Sequence, residues 1–357
     1  MENNIVLSIC ISAYNRRELV CENVQKMLQY EGDDIEVIVS DNASEDGTVE
    51  ALKKIKDKRL KLYRNEINVE LRGNTVLLLT YATGKYVMTI NDRDWVEPID
   101  IQDFVSLYKD RDCDFVLATK RWEKLFQKYK DSIEVRTLLY YVNGHPGRYI
   151  VKRTIYDELV AKVKERQLGA YTKDWMVDME KLGIALCVYA KRWEQYKAIL
   201  MQPEPEKLAR IVQLRGKSDI ERLHFTPEGI KYHFILYLDN PYIKKSDMEM
   251  YIRGLYRNQI YWCITEYRRH IEDPYTIARY HYEPESTICW VKITIDFYRD
   301  AISILKEKDL YTRRLALKLG MITLKEYFRP YIMFCRKVVF NIISIKKRFF
   351  PKPWLKF

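Results

Sequence analysis

The chain has 357 residues, 47% of them hydrophobic, which is ample for a sizeable core in one large domain or two ordinary ones. Its seven cysteines form no C-x-x-C pair or Cys/His array. With a start that lacks a signal-type apolar stretch, they point to buried thiols in a reducing, cytoplasmic setting. The formal charge of +11 equals the excess in the last segment alone, where residues 311–357 carry twelve Lys or Arg against the single acid Glu326. The rest is balanced, which argues against a nucleic-acid-coating domain and for an anionic membrane surface as the tail's partner.

In chain order, Ile5 to Ile11 is a short β-branched run, and Leu19, Val20, Val24, Met27 and Leu28 place helical spacing over Arg17 to Tyr30. Ile35 to Val39 reads as a second strand, followed by the turn-rich segment Ser40 to Thr48 and a helix from about Thr48 to Ile55. Leu60 to Arg64 is a third strand, Gly73 to Ala82 a helix, and Tyr86 to Ile90 a fourth strand running into Asn91-Asp92-Arg93-Asp94-Trp95. This alternation predicts an open α/β sheet with ligands at the carboxyl edges of its strands.

Beyond Trp95 the pattern predicts a helix at Ile99 to Tyr108, a strand at Asp114 to Thr119, and a charged, aromatic stretch from Lys120 to Tyr140. A Gly/Pro loop with His145 leads into a strand at Tyr149 to Val151. Helical spacing follows over Asp174 to Leu182, and Ile184 to Tyr189 reads as a final strand. From about Pro203 the signals are helical. The division expected is a catalytic domain over 1–200, a helical region over 201–327 and a basic amphipathic tail over 328–357.

Four segments in order resemble glycosyltransferase family 2. Ser12-Ala13-Tyr14-Asn15-Arg16 is similar to the family's strand-then-T-Y-N-R turn, and Val37 to Thr48 to its V-D-(N/D)-x-S-x-D-G-T signature. Asn68 to Asn74 resembles N-x-G-x-x-x-A-R-N, and Thr83-Gly84-Lys85-Tyr86-Val87 precedes the acidic motif as G-x-Y-(V/I) does in the family. The resemblance spans about Ile5 to Tyr189. It implies a GT-A fold, a Rossmann-like open mixed sheet with flanking helices, here followed by a mostly helical region, and an inverting transfer of sugar from a nucleotide sugar.

It also implies roles. Ala13, Tyr14, Asn15 and Arg16 border the donor, with Tyr14 stacking on its base or lending main chain, and Asp41 accepts a hydrogen bond from the base, typically uracil. Asn68 and Arg72 lie on the donor side, and Arg72 is a candidate for the diphosphate. A nucleoside diphosphate leaving group gains charge as the glycosidic bond breaks, and a divalent cation on carboxylate oxygens, Mn²⁺ or Mg²⁺, neutralises it. Asp92 and Asp94 are the candidate ligands, Asp94 on the metal and Asp92 as second ligand or ribose contact. Arg93, absent from the common D-x-D-D forms, is counted with the substrate-binding residues, or faces solvent or pairs with a neighbouring acid.

Transfer with inversion also requires a general base for the acceptor hydroxyl. Tyr171-Thr172-Lys173-Asp174-Trp175 fits the family's acid-then-aromatic helix start, so Asp174 is the candidate base, with Asp178 second and a helix-capping role the bland alternative. His145 is expected near the substrate only. No hydrolase triad, P-loop or zinc spacing is present.

In the tail, Arg336 with Lys347 and Lys337 with Arg348 are eleven residues apart, close to three helical turns, so both basic clusters share one side of an apolar segment over 331–350. Its longest uncharged run, Val338 to Ile345, is too short to span a bilayer, which needs about 20 residues. Such a helix belongs at an anionic membrane interface and suggests a lipid-linked acceptor, for example a polyprenyl-diphosphate-linked glycan of surface polysaccharide assembly. A non-catalytic sugar-binding or membrane scaffold is the rival reading, and a homo-oligomer is compatible with the sequence.

Overall fold

The computed structural model describes residues 4–118, 149–166, 171–190, 192–196, 200–201, 227–270 and 290–328. His145, the stretch 120–140 and residues 329–357 lie outside the described residues. The chain divides into two compact units, one of Met1–Glu221 with Leu236–Tyr251, the other of Arg222–Ile235 with Ile252–Phe357.

The first unit is built on a seven-stranded sheet. Its elements begin β1 (Leu7–Ala13), α1 (Arg17–Met27), β2 (Ile35–Asp41), α2 (Thr48–Leu52), β3 (Leu60–Arg64), α3 (Glu70–Tyr81) and β4 (Tyr86–Asn91). They continue with β5 (Trp95–Val96), α4 (Pro98–Tyr108), β6 (Phe115–Ala118), β7 (Tyr149–Lys152), α5 (Asp157–Lys164), α6 (Lys173–Val188), β8 (Trp193–Tyr196) and β9 (Leu200–Met201). The strand order is β3-β2-β1-β4-β7-β6-β8, and β5 pairs with β9 in a separate ribbon. β3, β2, β1 and β4 run parallel, β7 lies antiparallel to both β4 and β6, and β8 runs parallel to β6. The sheet is therefore mixed, with helices on both faces.

Every residue of β1 and β2 is buried, as expected for central parallel strands covered on both sides. One face packs Ile9, Ile11, Val37 and Val39 with Val20, Val24 and Met27 of α1 and Ile101, Phe104 and Val105 of α4. The other packs Cys10, Ile38 and Val87 with α3, α5 and α6 through Val76, Leu79, Leu159, Val163, Met176 and Met179. Burial pushes the Cys10 and Cys187 thiols up, Cys187 to about 12, so both are inert core fillers.

Two close approaches set this geometry. A Cβ on Gly84 would lie 2.9 Å from the Ser8 backbone nitrogen, because the Thr83-Gly84 turn folds over the amino end of β1. There the Glu36 carboxylate accepts from the Ser8 hydroxyl at 2.6 Å and the Thr83 N–H at 2.7 Å. A Cβ on Gly73 would meet the Met176 sulfur at 2.3 Å, so α3 and α6 pack closely there.

One expected strand is a helix. Ile184 to Tyr189 forms the last turns of α6, where Ala185 and Val188 pack with Ile243 and Tyr251. A six-residue apolar run reads alike as buried strand or buried helix, and packing against helical neighbours decides it. The edge strand β8, Trp-Glu-Gln-Tyr, carries no apolar alternation and gave no strand signal.

The second unit is helical in its described part. α7 (Pro227–Leu238) and α8 (Met248–His270) each begin or end within it, followed by α9 (Trp290–Glu307) and α10 over 313–328. Its core includes an aromatic trio with ring centroids at 6.2 Å for Phe234–Tyr256, 5.8 Å for Phe234–Phe297 and 5.3 Å for Tyr256–Phe297.

Candidate active site

The chain leaves β1 through α1 and β2 toward one side of the sheet and returns through α3 to β4 on the other. Strand order thus reverses between β1 and β4, where open α/β sheets form a crevice at the carboxyl edge. The register lines up Arg64, Asp41 and Ala13 across β3, β2 and β1, and pairs Ser12 with Asn91 of β4. The segments singled out in the sequence therefore meet along one edge.

Asn91 to Asp94 is a tight turn closed by the Asp94 N–H donating to the Asn91 carbonyl at 3.0 Å. Asp92 and Asp94 are both almost fully buried, and Arg93 between them is half-buried. The Asp94 Oδ2 accepts from Asn91 Nδ2 at 3.2 Å. Asp92 reaches across the switch point: its Oδ2 accepts from the Tyr14 N–H at 3.3 Å and its Oδ1 pairs with the Arg16 guanidinium. Asn23 of α1 donates to the Asp92 carbonyl at 2.9 Å.

The first turn is locked to the second. Asn15, in a left-handed conformation at φ 48°, donates its N–H to Ser44 Oγ at 2.9 Å and accepts from the Glu45 N–H at 2.9 Å. Ala43 and Glu70, both at φ 61°, are also left-handed, a costly choice for residues with a Cβ. Strain of this kind persists where surrounding bonds over-determine the backbone. Asp46 holds two helix starts at once, accepting from Arg17 N at 2.9 Å and Thr48 N at 3.1 Å.

Asp41 is fully buried at the end of β2. Its Oδ2 accepts from the Ser44 N–H at 3.0 Å, with Arg64 Nε 3.9 Å away. Its Oδ1 has no hydrogen-bond partner among the described residues, a costly state for a buried carboxylate and one that a ligand donor would relieve. Tyr14 stands exposed beside this edge.

Sequence reasoning gave no role to the asparagines that fasten the edge. Asn74, buried in α3, donates to Ser12 Oγ at 2.8 Å and the Ser40 carbonyl at 2.9 Å, and accepts from Ser40 Oγ and from Asn65 Nδ2 at 3.0 Å. All four of its bonding positions are used. Asn42 accepts from Asn65 and from the Val69 N–H, each at 3.0 Å, and donates to Asn68 Oδ1 at 2.7 Å. The available signal was a lone amide beside the apolar run Val76 to Leu79, which must be paired if buried.

Other expected residues have different neighbours. Asn68 is exposed, its side chain bonded to Asn42 and to the Glu70 N–H at 2.8 Å. Arg72 donates to Glu180 at 2.7 Å and to the Tyr237 hydroxyl at 3.1 Å, and Tyr237 donates to Glu180. Burial works against the Arg72 charge, yet Glu180 and Tyr237 hold its guanidinium above the ordinary value. Burial first, and Glu180 next, push the Tyr237 phenol up. Asp174 is exposed on the first turn of α6, whose cap is the Thr172 hydroxyl accepting from Trp175 N at 3.4 Å. Asp178 accepts from the Tyr242 hydroxyl at 2.9 Å.

No cluster of three His, Cys, Asp or Glu able to hold a metal occurs among the described residues. The two buried carboxylates of the 91–94 turn nonetheless suit a hard divalent cation, since Mg²⁺-type sites commonly use one or two carboxylates and complete their shell with substrate phosphates and water.

Residues 8–152 match the model of glycosyl transferase family 2. Over this segment the chain is similar to that family. An uncharacterized glycosyltransferase of Haemophilus influenzae is 27% identical over 114 residues, covering 31% of this chain and 35% of the relative. The UDP-Glc:alpha-D-GlcNAc-diphosphoundecaprenol beta-1,3-glucosyltransferase WfaP of Escherichia coli is 32% identical over 92 residues, 26% of this chain and 37% of WfaP. The chain spans little more than a third of the length of these curated relatives. Residues 1–349 of S. aureus TarS superpose with a TM-score of 0.52 at 13% identity, covering 90% of this chain and 88% of that one. The fold is GT-A, with a helical carboxyl-terminal region.

Proposed function

We propose that the chain is an inverting, metal-dependent glycosyltransferase, moving a hexose from a UDP-sugar to a hydroxyl of a lipid-linked oligosaccharide in surface or capsular polysaccharide synthesis. The observation that carries the donor half is the buried Asp41 Oδ1, without a hydrogen-bond partner and in line with the Asp92–Asp94 turn at the switch point. A uracil or thymine N–H would satisfy it, and the exposed Tyr14 would stack on such a base. Mn²⁺ or Mg²⁺ held by Asp94, with Asp92 assisting, would supply charge neutralisation for the diphosphate leaving group.

Asp174 takes the acceptor proton as the hydroxyl attacks the anomeric carbon, and its exposure leaves room for a large acceptor. The lipid-linked acceptor is supported by the likeness to WfaP, whose name specifies a diphosphoundecaprenol substrate. Among the described residues no helix is long and apolar enough to cross a membrane, and we assign peripheral association with the inner membrane face to the basic tail over 328–357.

The Arg16–Asp92 ion pair, which occupies one carboxylate, favours a second reading as a non-catalytic sugar-binding scaffold. A panel of UDP-, GDP- and dTDP-sugars tested by thermal shift and by release of nucleoside diphosphate, with and without Mn²⁺, separates the two. Metal-dependent turnover of a UDP-sugar is expected; binding without turnover of any donor on any lipid-linked glycan would leave the scaffold.

A further inference from the structure

On α10 the apolar side chains that face outward are regularly spaced. Leu317, Met321, Leu324 and Phe328 are 72%, 66%, 59% and 49% exposed. Their separations of four, three and four residues confine them to an arc of about 60° at about 100° per residue. The opposite side is the docked one: Leu315, Leu319 and Ile322 are buried there, and Glu326 is buried and pairs with Arg257 at 3.5 Å. Two further bonds fix the rotation of the helix. The Tyr298 hydroxyl donates to the Ala316 carbonyl at 3.2 Å, and the Tyr256 hydroxyl lies 2.6 Å from Thr323 Oγ1. The apolar stripe is therefore held outward by the packing of the inward face.

Charge says what covers the stripe. Arg313, Arg314, Lys318 and Lys325 flank it, and Glu326, the sole acid of 313–328, is on the buried side. A protein partner would have to present an acid-rimmed apolar groove of matching length, whereas an anionic bilayer offers acidic headgroups above a hydrocarbon boundary over any length. With Leu315, Leu319, Ile322 and Glu326 of its opposite side buried against the protein, such a helix meets a bilayer side-on, in the interface. The sequence next continues into the apolar, basic segment over 331–350, extending the same chemistry.

We propose that α10 is an interfacial membrane-docking helix in its own right, inserting Leu317, Met321, Leu324 and Phe328 between anionic headgroups held by the four flanking cations. Apart from Phe328, where the tail begins, it is distinct from the tail, and it is independent of the donor reading. The full-length protein is floated with phosphatidylglycerol–phosphatidylcholine vesicles and with phosphatidylcholine vesicles alone. Wild type should float with the former and do so less at high salt. Leu317→Ser/Met321→Ser/Leu324→Ser, with the tail intact, should cut the bound fraction roughly tenfold, and Arg314→Glu/Lys325→Glu comparably at low salt.

The substituted side chains are exposed, so the melting temperature should stay at the wild-type value, and UDP binding without vesicles should be unchanged whatever its strength. Undiminished flotation of both variants would overturn the proposal and assign membrane contact to the tail. So would a wild-type dimer that the triple variant dissociates while wild type ignores vesicles, which would make the stripe a contact between copies.

Discussion

Around β1, β2 and β4 the candidate donor residues are held from many directions, whereas Asp174 stands exposed with no hydrogen bond from another described residue. On the donor edge, amides from α1 and α3, the hydroxyls of Ser12, Ser40 and Ser44 and three left-handed residues fix the loops before any ligand arrives. On the acceptor side the order lies behind the carboxylate: Arg72, Glu180 and Tyr237 tie α6 to α3, and Tyr242 holds Asp178. Under the proposed function, donor recognition would rest on preorganised backbone and buried charge, and acceptor chemistry on one carboxylate carried by a well-anchored helix.

The strongest way to break this comparison is Asp94→Ala. It should lower metal-dependent transfer about 10³-fold, equivalent to about 4 kcal/mol, in a radiolabelled donor assay. Asp174→Asn should lower kcat about 10²-fold and leave the UDP dissociation constant unchanged, because it alters only the proposed proton acceptor. A parallel loss of donor affinity in that variant would merge the two sides.

Asn74→Leu tests whether the donor edge is held by its buried amide. It leaves Ser12 and Asn65 polar groups without their partner and should destabilise the fold by about 2–3 kcal/mol in urea. Tyr237→Phe removes one hydroxyl from the anchor behind Asp174. It should cost about 1 kcal/mol of stability and lower kcat while KM for donor stays put.

The smallest effect is a pH dependence at Tyr242. Burial, and then its bond to Asp178, push this phenol from 10.0 up to about 12. The folded state holds the proton more tightly, so this stability is complete below pH 10 and fades as pH rises from 10 toward 12. Tyr242→Phe should flatten the fall in melting temperature over that window.

Much of the donor edge was legible because its chemistry is local in sequence. Ser12 to Arg16, Asp41 to Thr48 and Asn91 to Asp94 each follow a strand, and strand ends in such a sheet converge. What was not legible depends on partners distant in sequence. Nothing near Arg72 announces its partners Glu180 and Tyr237, which lie 108 and 165 positions away. Arg16 bonding across to Asp92 spans 76 positions. The error at Ile184 to Tyr189 has the same origin, since Ile243 and Tyr251 make that run a helix face.

The most direct test is calorimetric titration of UDP, with Mn²⁺, into wild-type protein and Asp41→Ala. The account predicts binding by wild type and a weakening of at least about tenfold in the variant, the loss expected for a hydrogen bond to a buried carboxylate. Equal affinity of the two proteins, or no binding of UDP by the wild type, would contradict it.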